Sequence, residues 1–308
     1  MSKRLAIGVD LGGTNLRAAL VTENGEVIRK VKEPVSEEVI DLTLRLAGGF
    51  SGEEISGIGI GVAGIIDREG GKILISPNLP AVNGVSLVSI IKEKFRVPVF
   101  IENDANAAAF GEKWVGIGKD FSNFVLFTLG TGIGGGIIHD KKLLRVAAEI
   151  GHITIHTDGE KCHCGNSGCL ESYASARAIL SKVISALESG RESILKGLFN
   201  GNFYKLTAED IYRATLDGDM LAWEMLKDAG KNLGIGIASI INVMSPEAII
   251  LAGGLTGAWD IYIQEAIREA SRRSFKELFN KVKIIPSLLG DDAGVIGSAG
   301  LVFENIIK

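Results

Sequence analysis

Apolar residues, mostly aliphatic, gather in short runs over Arg4 to Asp10, Leu16 to Thr22 and Glu26 to Lys32, set off by polar and glycine-containing stretches. These runs predict three strands, and Asn24-Gly25 between the last two is a strong hairpin signal. The chain therefore opens with an antiparallel meander. From Ser36 to Ala47 the apolar spacing becomes helical, Ile55 to Val62 is an apolar strand, and Val97 to Glu102 is a further strand leading into the alanine-rich helix Ala105 to Trp114. The predicted order is β-β-β-α-β-α-β-α. Phe121 to Leu129 and Gly136 to His139 then restart the strand pattern, with Leu129-Gly-Thr-Gly-Ile133 echoing Asp10-Leu-Gly-Gly-Thr14. The echo predicts an internal duplication of two similar folds. Glu171 to Val243 is helical in pattern. Glu247 to Leu251 is a short strand ending at Gly253-Gly254, Val282 to Ser287 is another, and Ala293 to Ile307 is a closing helix, with no low-complexity linker anywhere.

At 308 residues the chain exceeds the size at which single cores stop growing, so two lobes of one architecture are expected. Lys plus Arg total 33 against 37 for Asp plus Glu, a net charge of -4 with no basic block, which argues against nucleic acid and for a small partner. Met1 to Asp10 meets an aspartate too early for a secretory signal, and the most apolar stretch, Leu233 to Met244, is too short to span a bilayer. A cytoplasmic protein is the expectation.

Chemistry concentrates between Glu149 and Glu171. The only three cysteines, Cys162, Cys164 and Cys169, fall in a C-x-C-G-x-x-G-C run whose glycines let it fold back on itself. An odd, clustered set of thiols suits a metal in a reducing compartment better than disulfides. With one imidazole it makes a closed tetrahedral Cys₃His zinc site. His152 is the favoured fourth ligand, with His163 and His156 competing. Zinc there would pin Glu149 and Glu171, and an imidazole on zinc through one nitrogen can turn the other toward a ligand.

Two glycine turns and one strand end add to this. Asp10-x-Gly12-Gly13-Thr14 joins two strands, as a hairpin needing glycine or as a nest of N–H groups for phosphate. Asp10 at a strand end is suited to Mg²⁺. Gly130-x-Gly132-x-x-Gly135 has dinucleotide-fingerprint spacing, but strand residues follow it rather than a helix start, and no Walker sequence exists. The two glycine-threonine turns still offer a clamp for a polyphosphate. Glu102-Asn103-Asp104 ends a strand before a helix; Asp104 there is either an N-cap or part of an Asn-Asp pair able to bind and deprotonate a hydroxyl.

Taken together, Asp10-Leu-Gly-Gly-Thr-Asn-Leu-Arg17, Glu102-Asn-Asp-Ala-Asn106, Leu129-Gly-Thr-Gly-Ile-Gly-Gly-Gly136, Glu149-Ile-Gly-His152 and Cys162-His-Cys-Gly-Asn-Ser-Gly-Cys-Leu-Glu171 resemble the ROK family of sugar kinases and repressors over nearly the whole chain. The resemblance implies an α/β actin-like, hexokinase-type (ribonuclease H-like) ATPase fold. Residues 1–105 plus 292–308 would form a small lobe, and 106–291 a large lobe carrying zinc. It implies ATP-dependent phosphorylation of a hexose, glucose foremost, with fructose, mannose or N-acetylmannosamine as alternatives. Asp104 would be general base, and Asn103, Glu149, His152 and Glu171 would bind sugar hydroxyls, with Gly64 and Asn78 as further contacts. His152 and the three cysteines would hold zinc. The sugar would lie in the cleft, its 6-hydroxyl toward Asp104. ATP would span the lobes over Gly12, Gly13, Thr14, Thr131 and Gly132, with adenosine near Gly253 and Gly254 and Mg²⁺ near Asp10. A homo-oligomer, dimer or tetramer, is expected. A repressor would need a helix-turn-helix segment, for which no room is expected ahead of Asp10.

Overall fold

The computed structural model describes residues 3–50 and 52–306. Strands β1 (Leu5–Leu11), β2 (Asn15–Thr22) and β3 (Val27–Pro34) form the opening meander, followed by helix α1 (Val39–Gly48) and β4 (Ile55–Val62). A hairpin of β5 (Ile65–Asp67) and β6 (Lys72–Ile75), absent from the sequence expectation, precedes α2 (Leu87–Phe95), β7 (Val99–Asn103) and α3 (Asp104–Trp114). Next come β8 (Phe124–Leu129), β9 (Ile133–His139) and β10 (Lys142–Leu143), and then α4 (Glu171–Ala174), α5 (Ala176–Glu188), α6 (Ala208–Leu216) and α7 (Met220–Met244). The chain closes with β11 (Ala248–Ala252), α8 (Gln264–Arg273), α9 (Lys276–Phe279), β12 (Lys283–Pro286) and α10 (Ala293–Ile306); Ile307, expected to end that helix, lies outside the described residues.

The sheets run β3-β2-β1-β4-β7 and β10-β9-β8-β11-β12, so each places its third, second, first, fourth and fifth members in the same order. Each also couples an antiparallel side, β1 with β2 and β9 with β10, to a parallel one, β4 with β7 and β11 with β12. The duplication suggested by two short glycine motifs is thus a duplication of topology.

Two compact units divide the chain: residues 1–126, 135–148 and 287–308, and residues 127–134 and 149–286. In the first, β1 alternates large and small residues. Ile7, Val9 and Leu11 face a core shared with Leu42, Leu46, Phe50, Leu87 and Ile91, while Ala6 packs on the other side with Val295, Ala299 and Val302 of α10. Small residues let α10 lie on the strands: a Cβ on Gly8 would fall 1.9 Å from the Val295 carbonyl oxygen, and one on Gly59 1.7 Å from that of Ser298. Helix α3 meets α10 in the same way, since a Cβ on Gly297 would stand 1.7 Å from the Ala107 carbonyl. That packing is why the first unit extends past Ala105, where the sequence placed the boundary.

The glycine that follows the dinucleotide-like spacing has a packing explanation. Gly136 lies in β9, and a Cβ there would meet the Ala109 methyl at 2.5 Å, so this glycine admits α3. The run continues as a strand and turns back at Asp140 and Lys141, both with positive φ, into β10.

Candidate active site

In the first unit, the alternation that buries Ile7 and Val9 on one face of β1 places Asp10 on the other, opposite Arg17 of β2. Arg17 Nη1 donates to Asp10 Oδ2 at 3.1 Å, and its Nη2 stands 3.5 Å from Asp291. Asp10 is 8% exposed; burial raises its pKa, Arg17 opposes the rise, and Asp291 adds to it. A Cβ on Gly294, in the first turn of α10, would lie 2.8 Å from its carboxyl. The adjoining turn leaves Gly13 and Thr14 exposed and closes with Gly12 N–H donating to the Asn15 carbonyl at 3.1 Å. One carboxylate beside exposed N–H groups suits Mg²⁺, which takes one or two carboxylates and completes its shell with phosphate and water.

At the end of β7 the capping duty falls to Asn103. Its Oδ1 accepts from the Ala105 and Asn106 amides at 3.0 and 3.1 Å, while its Nδ2 donates to the Gly64 carbonyl at 3.1 Å. Asp104, one alternative for the cap, is the first residue of α3, its Oδ1 accepting from the Ala105 amide at 2.9 Å. Beneath them, buried Glu102 accepts from Arg68 Nε and Nη2 at 2.7 and 2.6 Å, from the Asn103 amide at 2.9 Å and from Asn106 Nδ2 at 3.1 Å. Gly64, at φ +136°, lies against β6 so closely that a Cβ would stand 2.3 Å from the Ile75 carbonyl. Beyond β6, Asn78 reaches the first glycine turn, its Cβ 2.8 Å from where a Gly13 Cβ would sit. Gly64 therefore touches Asn103, and Asn78 touches Gly13.

In the second unit the other glycine turn is clamped on several sides. Glu171 Oε2 accepts from the Ile133 amide at 2.8 Å, and a Cβ on Gly132 would lie 2.3 Å from that oxygen. Gly151 leaves no room for a Cβ, which would be 2.0 Å from the Ile133 carbonyl. The Ala176 amide at the start of α5 donates to the Gly130 carbonyl at 2.9 Å, and Gly253, at φ +97°, fits against Leu129. Thr131 and Gly132, assigned to nucleotide, are thus contiguous with Glu171 and with the Glu149–His152 segment, assigned to sugar. Burial raises the pKa of Glu149; His152 opposes this and Glu171 reinforces it.

His152 uses its two ring nitrogens in opposite directions. Nε2 is 3.8 Å from Glu149 Oε2, and Nδ1 is 3.6 Å from Cys162 Sγ. His152, Cys162, Cys164 and Cys169 have ligand atoms all within 4.8 Å of one another, with Cys164 and Cys169 Sγ 3.7 Å apart. A tetrahedral zinc with bonds of about 2.3 Å to sulfur and 2.05 Å to nitrogen needs S···S near ~3.8 Å and S···N near ~3.6 Å, so the donor set fits. Burial and the neighbouring thiols push Cys169 up to about 12, so a metal must displace its proton. The competing imidazoles are elsewhere: His156 Nε2 pairs with Asn232 Oδ1 at 2.9 Å, and His163 is exposed.

Residues 6–305 match the family model described as ROK. The chain belongs to the ROK family. It is 35% identical to a glucokinase of Thermotoga maritima over 99% of both chains, and 35% identical to a xylose repressor of Caldicellulosiruptor bescii over 98% of this chain and 79% of the repressor. Among solved structures, a ROK glucokinase of Streptomyces griseus in complex with glucose and AMPPNP superposes with a TM-score of 0.88 at 32% identity, covering 97% of this chain and 99% of that one. The actin-like, hexokinase-type fold expected from the motifs is the fold of this ROK chain.

Some residues that build the candidate site escaped the sequence reading. Arg68 sits in a glycine-flanked loop with no periodicity, 34 residues from Glu102, and nothing local marks the pair. Gly151 and Ile133 lay inside recognised motifs, but their contribution is backbone. A glycine between two polar residues, Glu149-x-Gly151-His152, was the available signal for the former.

Proposed function

We propose that this ROK protein transfers the γ-phosphoryl group of ATP to the 6-hydroxyl of glucose. The observation that carries the proposal is the division of labour at the end of β7. Asn103 caps α3, so Asp104 at the helix head is not required as the cap and can serve as general base. Phosphoryl transfer relies on alignment and charge stabilisation more than on covalent chemistry. Asp104 accepts the proton of the attacking hydroxyl; Asn103, Glu149, His152 and Glu171 bind the other hydroxyls, with Gly64 and Asn78 as supporting contacts. The N–H groups of Gly12, Gly13, Thr14, Thr131 and Gly132 receive phosphate oxygens, Gly253 and Gly254 flank adenosine, and Asp10 holds Mg²⁺. Zinc, when bound, supplies a structural crosslink. His152, Cys162, Cys164 and Cys169 hold it, which fixes the Glu149–His152 turn relative to Glu171. A homo-oligomeric, cytoplasmic enzyme belongs to the same proposal; among the described residues no helix is long and apolar enough to cross a membrane.

The likeness to glucokinases over the full chain supports glucose as acceptor and ATP as donor. The equal likeness to a xylose repressor favours a second reading, in which the chain binds a sugar without transferring phosphate. A coupled ADP-release assay with Mg-ATP against glucose, fructose, mannose, N-acetylmannosamine and xylose separates them. Glucose-dependent ADP release supports the kinase. Sugar binding with no release from any member of the panel selects the second reading.

A further inference from the structure

Glu171 is bound to the turn that is assigned to phosphate. Its Oε2 accepts from the Ile133 amide at 2.8 Å and lies where a Cβ of Gly132 would stand 2.3 Å away. Gly151 packs against the carbonyl of the same Ile133, 2.0 Å from where its Cβ would stand, so both backbone groups of Ile133 are in close contact with this segment. Backbone N–H groups of a glycine turn attract anions, and a fixed carboxylate touching the turn opposes the arrival of a second anion. For unit charges about 5 Å apart at a dielectric between that of water and half of it, the repulsion amounts to about a 4- to 16-fold loss of affinity.

We infer that Glu171 is an electrostatic restraint on nucleotide: it weakens polyphosphate binding at Thr131–Gly132 until a sugar hydroxyl donates to the carboxylate and draws off part of its charge. This deepens the proposed function and rests on its assignment of phosphate to that turn and of a hydroxyl to Glu171. The consequence is an order of events. Nucleotide binds tightly only when the sugar is present, so the sugar-free complex, in which water is the sole phosphoryl acceptor, is sparsely populated. Linkage makes the effect reciprocal, with nucleotide raising sugar affinity by the same factor.

Calorimetric titration of the zinc-replete protein with Mg-AMPPNP, with and without glucose, tests this on wild type, Glu171→Gln and Glu171→Asp. Wild type should bind Mg-AMPPNP about two- to fourfold more tightly with glucose than without, less than removal of the whole charge would give. Glu171→Gln keeps the shape and an oxygen for the Ile133 amide but loses the charge. It should bind glucose more weakly yet bind Mg-AMPPNP about fivefold more tightly than wild type when glucose is absent. Glu171→Asp keeps the charge and should stay near wild type for nucleotide. Damage to packing around the cysteine cluster would weaken both ligands and could not tighten one. Unchanged or weaker nucleotide binding by Glu171→Gln overturns the inference, as does equal tightening by both variants. If Glu171→Gln does not fold, the absence of a glucose effect in wild type overturns it alone. A wild type that binds both ligands independently defeats the restraint while leaving the kinase reading standing; one that binds neither defeats the kinase reading and the restraint together.

Discussion

At the scale of single residues, the environments of two carboxylates at the end of β7 predict opposite outcomes. Asp104 is only half-buried at the head of α3, while Glu102 is buried and saturated by Arg68, Asn106 and the Asn103 amide. Replacing Asp104 by Asn leaves the shape and the Asn103 cap in place and removes the base. The expected result is a fall in kcat of about 10²- to 10⁴-fold, with glucose affinity by calorimetry changed by less than about threefold, since uniform binding does not pass through the base. Equal turnover would remove Asp104 from its role. Arg68→Met is the converse case. It strands the Glu102 carboxylate, whose side chain is 3% exposed, and should cost about 3 kcal/mol in urea unfolding. Removing the exposed Arg213 from its pair with Glu209 should change little by the same measurement. The cysteine cluster was legible in the sequence because its three thiols are packed into a few consecutive residues. The Arg68–Glu102 pair was not, because only the pairing of β7 with β4 and the hairpin after it brings the two together.

At the scale of elements, α7 depends on its N-cap. Asp219 Oδ1 accepts from the Ala222 amide at 2.8 Å, and Oδ2 accepts from the Ile194 amide at 2.7 Å, so one carboxylate starts a 25-residue helix and fastens the segment before α6. Burial alone would raise its pKa, but the donors, including the Ser193 side chain, hold it below the usual value of 3.8. A carboxylate with a depressed folded pKa contributes stability above its unfolded pKa and loses it as pH falls through the folded one. Asp219→Ala should therefore cost about 1–2 kcal/mol at pH 7, read from urea midpoints, and the gap between variant and wild type should narrow as pH falls below 3.8 and through the depressed folded pKa. A gap independent of pH would show that the cap works by shape and not by charge. The long strands were legible because burial on both faces makes them near-continuous runs of apolar and small residues between polar turns, and α10 because apolar and small residues fill it from Ala293 to Phe303. The β5–β6 hairpin was not: its strands have three and four residues, and Ile65, Leu74 and Ile75 are about half exposed, so no buried face wrote a pattern into them. Within α7, Gly230 and Gly234 look like helix breakers in the sequence and are instead the places where the backbone of the Tyr262–Ala270 segment comes closest.

At the scale of the whole molecule, stability has two different sources. The first unit has an apolar core on both faces of its sheet, from Ile7, Ile58 and Phe50 on one side to Val295 and Val302 on the other. The stretch of the second unit from Glu149 to Leu170 has little regular structure. A single turn at Ile150–His152 and two isolated bridges, Thr154 with Cys169 and Lys161 with Ser167, are its only regular pairings. A segment held by irregular turns and not by a helix or sheet ladder gains most from a crosslink, and a metal bound only by the folded form stabilises by mass action. Removing zinc with a chelator, or substituting Cys164→Ser, should therefore act locally. Hydrogen exchange should lose protection between residues 149 and 174 while the amides of β1 and β4 keep theirs, and the thermal midpoint should fall by about 5 °C or more. Because Glu149, His152 and Glu171 are held by that segment, KM for glucose should rise well before kcat falls. Readdition of zinc should restore both in the chelated wild type and neither in Cys164→Ser. Uniform loss of protection across both units would instead mean that the metal holds up the entire fold, and an unchanged KM after stoichiometric zinc loss would detach the cysteine cluster from the sugar-binding acids altogether.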